Sequence, residues 1–279
     1  MSNDLLKIED EIALLKIKFW GLTNLRESRG MNDYWTNKNE ALKQIIMKME
    51  ASVMLDVGGF TGYFLSPFKE IPYKICLDLS SNALRIGREN FQDLFFIHAD
   101  GTSPPFRENQ MDVITCFEVL EHIPNYKSAL KKMYNLLKGN GLLLISVPNY
   151  FDFFTLPLNI FLKYLRTLFG RKDQNIYISR KEKKYRKKVS QIYNRYDVHG
   201  EHVHNFNPVN LRRGMTSIGC GNPKISGIGV KPVPDRMIGY FVDNNDNIYN
   251  LWRLFNRFLS KLNYPPLFSS NIIGKAIRD

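Results

Sequence analysis

The stretch "SVMLDVGGFTGYF" (52–64) constrains this chain most: an apolar run meets an acid, and Gly58, Gly59 and Gly62 follow within five positions. An apolar run of this length, bounded by turn residues, reads as a strand buried on both faces. Glycines directly after it allow a sharp turn with positive φ and bring backbone N–H groups close to a ligand. The same pattern recurs downstream, where "YKICLDL" (73–79), "LFFIHAD" (94–100), "MDVITCF" (111–117) and "GLLLISVPN" (141–149) are further strand candidates. Helix candidates alternate with them. "SSNALRIGRENF" (80–91) opens on a capping serine, and "KSALKKMYNLLK" (127–138) is expected to stop at Gly139. Upstream, "LLKIEDEIALLKIKFW" (5–20) has helical spacing at Leu5, Ile8, Ile12 and Leu15, and "NEALKQIIMKME" (39–50) is a second helix candidate. Continuous apolar strands alternating with helices predict an α/β fold, a parallel sheet covered on both faces.

In such a sheet, ligands sit beyond the carboxyl ends of the strands. Asp78 falls 22 positions after Asp56, at the end of the second strand. Nucleotide-binding sheets keep an acid there for ribose hydroxyls. The dinucleotide fingerprint needs G-x-G-x-x-G, whereas Gly58-Gly59-Phe60-Thr61-Gly62 puts a bulky Phe60 where a pyrophosphate needs bare backbone. A ligand with a ribose and no phosphate fits better.

On these residues the chain resembles class I S-adenosylmethionine-dependent methyltransferases. "LDVGGFTGYF" is similar to their first motif, with Phe60 replacing the usual middle glycine. "CLDLS" resembles the second motif, "IHADGTSPPF" (97–106) the third, "MDVITCFEVLEHI" (111–123) the fourth-strand motif, and "LLKGNGLLLISVPN" (136–149) the helix, turn and fifth strand that follow. The resemblance implies a Rossmann-like, seven-stranded, mostly parallel sheet whose last strand is antiparallel, with helices on both faces. It also implies S-adenosyl-L-methionine as cofactor. Asp56, Gly58, Gly59 and Gly62 would shape the methionine end of its site. Asp78, with Leu79 beside it, would serve the ribose, and Asp100 and Gly101 the adenine. Phe117 and Glu118 would border cofactor and acceptor.

The sulfonium is already a good leaving group, so such an enzyme mainly aligns the acceptor. An acceptor hydroxyl must still lose its proton, which calls for a base or a metal. "EVLEH" (118–122) is the candidate for that task. In a helical turn Glu118, Glu121 and His122 stand at i, i+3 and i+4, on one face. "GEHVHNFNP" (200–208) adds His202 and His204, two of five histidines in the chain, just before a helix that Asn207 would cap and Pro208 begin. Glu118, Glu121, His122 and His202 are the catalytic candidates. Glu118, Glu121, His122 and His204 are the candidate metal set, with Mg²⁺ favoured by the oxygens. The pattern resembles the metal motif of small-RNA 2′-O-methyltransferases and quinone-pathway O-methyltransferases. Many relatives with a similar string hold no metal, and there His122 or its neighbours help form the acceptor pocket.

Charge enters through one segment. Between Lys163 and Lys188 eleven Lys or Arg face two acids, a net +9 out of +12 for the whole chain. This run follows "YFDFFTLPLNIFLKYLRTLFGRKDQ" (150–174), whose Asp152, Pro157, Lys163 and Arg166 argue against a transmembrane helix. "SRKEKKYRKK" (179–188) fits nucleic-acid phosphates by charge alone, but the apolar block beside it favours an anionic membrane surface over nucleic acid. A lid over the acceptor pocket with a solvated basic face is the competing account. The chain is thus expected to divide into N-terminal helices (1–50), a cofactor-binding core (51–149), a basic and apolar insertion (150–200), and a C-terminal part (201–279). That last part holds strands at 224–230 and 270–278, with a helix at 248–262 whose apolar stripe includes Leu251 and Leu254. Cys76, Cys116 and Cys220 are too few and scattered for a disulfide framework or a zinc site. Asp4, Glu9, Asp10 and Glu11 occupy the place where a signal peptide is positive and apolar. The expected setting is cytoplasmic, with a peripheral place on the inner membrane face left open. Three readings stand at this point. The first is O-methylation of a small-molecule or lipid-linked acceptor. The others are a Mg²⁺-dependent RNA ribose 2′-O-methyltransferase and a silent cofactor-binding or membrane-docking module.

Overall fold

The computed structural model describes residues 3–20, 29–150, 184, 187–192, 202–228, 246–259 and 269–278. Two helices, α1 (Asn3–Trp20) and α2 (Arg29–Ile46), precede β1 (Val53–Val57), β2 (Tyr73–Asp78), α3 (Ser81–Asn90), β3 (Phe95–His98) and β4 (Met111–Phe117). A single 3₁₀ turn, Leu120–His122, leads to α4 (Tyr126–Leu136) and β5 (Leu137–Pro148). Beyond the insertion come α5 (Pro208–Ser217), β6 (Lys224–Ile228), α6 (Asp246–Leu259) and β7 (Asn271–Ile277). The seven strands order as β3-β2-β1-β4-β5-β7-β6, with β7 antiparallel to both neighbours. This is the seven-stranded Rossmann-like sheet expected from sequence. The order reverses at β1, so the cleft between the carboxyl ends of β1 and β4 is its switch point.

Period-two alternation sorts the strand residues into two cores. Leu55, Val57, Ile114, Cys116, Leu143, Ile145 and Val147 face α4 and α5, burying Leu130, Met133, Leu211 and Met215 with them. Met54, Cys76, Val113, Leu142, Leu144 and Ile273 face the other way, onto Leu42 and Ile46 of α2 and Leu84 of α3. Each buried aliphatic side chain contributes roughly 1.5–3 kcal/mol of transfer free energy, and both faces are needed to hold a parallel sheet. All three cysteines are free and buried.

Local chemistry sets the helix starts. Ser80 caps α3 by accepting from Ala83 N, and Asn207 caps α5 in a reciprocal box with Asn210, followed by Pro208 at the first position. Three expectations change. Gly139 does not end α4; the chain extends at Leu137 and runs straight into β5, and a Cβ on Gly139 would meet nothing within 4 Å. Helix α2 begins ten residues earlier than expected, at Arg29. On α6 it is Trp252 that is buried, while Leu251 and Leu254 are 70% and 62% exposed. Most of the basic insertion (151–183, 185–186 and 193–200) lies outside the described residues, as do the side chains of Phe255, Phe258 and Leu259 and the whole of Leu262. Among the described residues no helix is long and apolar enough to cross a membrane.

Gly274 of β7 pairs with Ile145 and Ile225 and lies beneath α5, where a Cβ would overlap Met215 Sδ. Gly274→Val is therefore expected to destabilise by about 1–3 kcal/mol through overpacking. In a Met215→Ala background the same change should cost clearly less, as read from urea unfolding midpoints.

Candidate active site at the carboxyl edge of the sheet

The glycine turn after β1 is closed by its own hydrogen bonds. Gly58 and Gly59 both donate to Leu77 O (2.8 and 3.2 Å), Phe60 donates to Asp78 Oδ2 (2.8 Å), and Gly62 donates to Gly59 O (2.8 Å). Gly58 and Gly62 take φ of 76° and 75°, and a Cβ on Gly58 would overlap Val119 Cγ2. Phe60 also has positive φ, 54°, at a cost of about 1–2 kcal/mol for a residue with a Cβ. Its bond to Asp78 offsets part of that. The N–H groups expected to face a ligand are thus already engaged at four positions. What the turn offers instead is a close backbone surface with Asp78 at its side.

Asp78 has both oxygens engaged, Oδ2 by Phe60 N and Oδ1 by Ser80 N (2.9 Å), yet each carboxylate oxygen can accept again. Burial pushes its pKa up, and the N–H groups of Ser80 and Phe60, with Lys16, work against that rise. Helix α1 crosses above, and His98 Nε2 donates to Leu79 O at 2.9 Å. Asp100 accepts from Thr102 N (2.8 Å) in the turn after β3, and Gly101 follows against β1, where a Cβ would come 2.6 Å from Val57 Cγ1. Asp56 is buried within β1, pushed up to about 7 by burial although Thr115 Oγ1 donates to it at 2.6 Å. Its carboxyl sits directly behind Gly59, 2.9 Å from where a Cβ would stand, so it supports the turn from within. Phe117 packs edge-on against Phe64, ring centroids 4.9 Å apart, and makes an aromatic wall at the end of β4.

Glu118 departs from the helical-face expectation. It takes φ 57°, and its N–H extends the β4–β5 pairing to Ser146 O (2.8 Å). Its carboxylate is left out of the donor cluster that Glu121 and His122 join. Lys38 of α2 meets Oε1 at 2.8 Å, Ser146 Oγ at 2.6 Å, and Asn271 of β7 bonds both oxygens at 3.0 and 2.9 Å. The Lys38 side chain is 1% exposed. Sequence reasoning missed Lys38, Ser146 and Asn271. A lysine in an amphipathic helix, a serine in a strand and an asparagine at a strand start carry no local sign of a shared partner.

The expected metal set is not what the structure assembles. Glu121, His122 and His202 bring donor atoms within 4.8 Å of one another. Glu118 is held by Lys38, and His204 turns aside, donating from Nε2 to Pro124 O (2.9 Å) with its ring against Tyr126. The backbone explains the split: Val203 N and His204 N both donate to Glu121 O, at 2.8 and 3.1 Å, curling the chain between the two histidines. Glu121 is buried, and its Oε2 has no hydrogen-bond partner among the described residues. Burial first, then the charge of Glu118, pushes its pKa up to about 8. His122 Nε2 lies 3.9 Å from Glu121 Oε1, and the His122 and His202 rings meet edge to face at 5.0 Å. Desolvation, then His202 and Lys16, hold His122 down at about 4. At neutral pH the cluster thus combines an unionised carboxyl, an imidazole held neutral, and a second imidazole beside it.

Removing the Lys38 cation strands the Glu118 carboxylate in a largely buried site. Lys38→Ala should cost about 3 kcal/mol in urea unfolding. Adding Glu118→Gln should recover part of it, a non-additivity that an ordinary core truncation would not show.

Residues 34–222 match the family described as a methyltransferase domain. Among curated proteins, the chain is 31% identical over 106 residues to a demethylmenaquinone methyltransferase of Staphylococcus epidermidis, covering 34% of this chain and 42% of that protein. One from Renibacterium salmoninarum is 29% identical over 126 residues, covering 44% and 53%. The chain thus spans about half the length of these curated relatives, or less. Among solved structures, a methyltransferase of Haloferax volcanii in complex with its Trm112 activator has a TM-score of 0.55 at 13% identity, covering 97% of this chain and 96% of that one. Phosphoethanolamine N-methyltransferase 2 of Haemonchus contortus, in complex with S-adenosyl-L-methionine, has a TM-score of 0.53 at 16% identity, covering 96% and 57%. At these identities the likeness is one of fold. The family match runs from α2 through the glycine turn and the Glu121 cluster past α5, and the chain belongs to the methyltransferase-domain family.

Proposed function

We propose that this enzyme methylates an oxygen of a small or lipid-linked acceptor, and that Glu121, His122 and His202 manage the proton the acceptor hydroxyl gives up. The observation that carries this reading is the buried Oε2 of Glu121, unpartnered among the described residues, beside a neutral His122, at the end of β4 next to the glycine turn. S-adenosylmethionine, when bound, supplies a methyl group on a sulfonium that leaves as a neutral thioether. Gly58, Gly59 and Gly62 shape the floor of its site with Asp56 behind them, Asp78 and Leu79 serve the ribose, Asp100 and Gly101 the adenine, and Phe117 the wall toward the acceptor. The residues fit such a ligand at the ribose end, where Asp78 keeps accepting capacity for hydroxyls; the absent Cβ atoms at Gly58, Gly59 and Gly62 let the turn pack against Val119, Asp56 and Leu94. His122 takes the hydroxyl proton, and ionised Glu121 stabilises the imidazolium that results. His202 orients the His122 ring. Glu118 holds the end of β4 in place through Lys38.

The acceptor class draws support from the curated relatives, which are named for demethylmenaquinone. Exposed Ile248, Leu251 and Leu254 on α6 favour an acceptor met at a lipid surface. A second reading rests on the same three donors, which could hold a divalent ion. One carboxylate and two imidazoles suit Zn²⁺ or Mn²⁺ better than the oxygen-seeking Mg²⁺ that the sequence pattern suggests.

Two outcomes are expected. Asp78→Ala should weaken binding of S-adenosylhomocysteine about 30-fold in calorimetric titration, the loss of about 2 kcal/mol from charge-assisted hydrogen bonds. Unchanged affinity would remove Asp78 from the site. Methyl transfer to a hydroquinone acceptor should rise with pH and reach half its plateau near 8, where Glu121 ionises. The carboxylate is the active form, so activity falls as pH drops through that value, while His122 is already neutral above about 4 and adds no limb there. Glu121→Gln should abolish the limb, and dialysis against EDTA should leave the rate unaltered. Activity lost to EDTA and restored by Mn²⁺ or Zn²⁺ would favour the metal reading.

A further inference from the structure

Helix α1 is fixed across the carboxyl edge of the sheet by two attachments. Asp10 accepts from Ser80 Oγ, Ser81 Oγ and Asn82 N at 2.9, 2.9 and 3.0 Å, which seats the helix on the N-terminus of α3, beside Asp78. Ile8 and Ile12 pack with Ile192, from the helical residues 187–192 at the end of the insertion. Lys16 follows Asp10 by six residues, about 9 Å further along the helix axis. Its ammonium lies 5.8 Å from the centroid of the ring of Phe60, the middle residue of the glycine turn. Its charge acts on Asp78 and on His122, as well as on Glu9 of its own helix. Among the described residues no carboxylate comes within ion-pair distance of it.

The turn beneath Lys16 is poorly equipped for an anion. The N–H groups of Gly58, Gly59, Phe60 and Gly62 are all donated inside the protein. The nearby carboxyls of Asp56, Asp78 and Glu9 repel negative charge when ionised. Yet the methionine part of S-adenosylmethionine ends in a carboxylate, and a carboxylate taken out of water needs a cation or a set of donors. We infer that Lys16 is a cofactor-binding residue, its ammonium taking the methionine carboxylate of S-adenosylmethionine above the turn from Gly58 to Gly62. This rests on the proposed reading of Asp78 as the ribose end of the site. It makes α1 part of the cofactor site: Asp10 sets the helix, and Lys16 delivers the charge.

The competing account is that Lys16 only offsets the buried acids Glu9 and Asp78. Two ligands separate the accounts. S-adenosylhomocysteine carries the amino-acid end, whereas 5′-methylthioadenosine keeps the adenine, ribose and sulfur and lacks the carboxylate. In calorimetric titrations Lys16→Met should weaken S-adenosylhomocysteine about 10- to 30-fold, the worth of one charge-assisted contact, and leave 5′-methylthioadenosine within about 2-fold. Lys16→Arg should retain most of the affinity for both. Equal losses for the two ligands, or no loss for either, would overturn the inference while leaving the cofactor site intact. A wild-type protein that bound neither would overturn the proposed site, and this inference with it.

Discussion

A single carboxylate holds the reactive edge of this molecule together. Glu118 stands where β4 ends, and its oxygens collect Lys38 from α2, Ser146 from β5 and Asn271 from β7. Four elements distant in sequence are thereby referred to one point. A buried ion pair of this kind adds little net stability over a well-packed apolar substitute, because desolvation consumes most of the Coulomb gain. Its worth lies in geometry: apolar contacts tolerate sliding, whereas a carboxylate with donors on three sides does not. The left-handed backbone at Glu118 is the local cost of aiming the side chain there. Directly after it the chain turns through Leu120–His122, so the orientation of Glu121 and His122 follows from how firmly Glu118 is held.

The two sides of the cleft are built by opposite means. Around the glycine turn the backbone donors are spent inside the protein, and on the proposed reading recognition falls to side chains brought from other elements, Asp78 from β2 and Lys16 from α1. Around Glu121 the backbone is used up in a different way, its carbonyl accepting two N–H groups from the segment that carries His202 and His204. That second arrangement leaves a carboxyl oxygen in the interior without a partner among the described residues, a state costing about 1–3 kcal/mol.

What could be read from the sequence was what depends on periodicity and local chemistry. The strands, the capping residues Ser80 and Asn207, and the acid at the end of β2 follow from patterns within a few residues of each other. Gly139 misled because a glycine after a helical run usually ends the helix; here α4 stops two residues sooner and β5 begins directly. Glu118 misled because three residues at helical spacing share a face only if the backbone is helical, and positive φ at its first member broke that premise. His204 parts from His202 because Val203 N and His204 N both bond Glu121 O, a contact over 80 positions away that two-residue spacing does not announce. Lys38, Lys16, Asp10 and Asn271 had no local signature. Each acts on a partner 44 or more positions away, and only the folded topology brings them to it.

The position of β7 has a consequence for the order of assembly. It lies between β5 and β6, pairing with both, and it carries Asn271 into the Glu118 cluster. A growing chain that has emerged only through β6 therefore has no neighbour for that strand to join, and Glu118 still lacks one of its donors. The first five strands can pair as they appear, but β6 must wait outside until a later segment slides between it and the sheet. Pairings of such long sequence separation form late, since loop closure must precede the contacts that reward it. The nascent protein thus carries an unfinished reactive edge until its seventh strand is in place, and completion of the fold and completion of the site are one event.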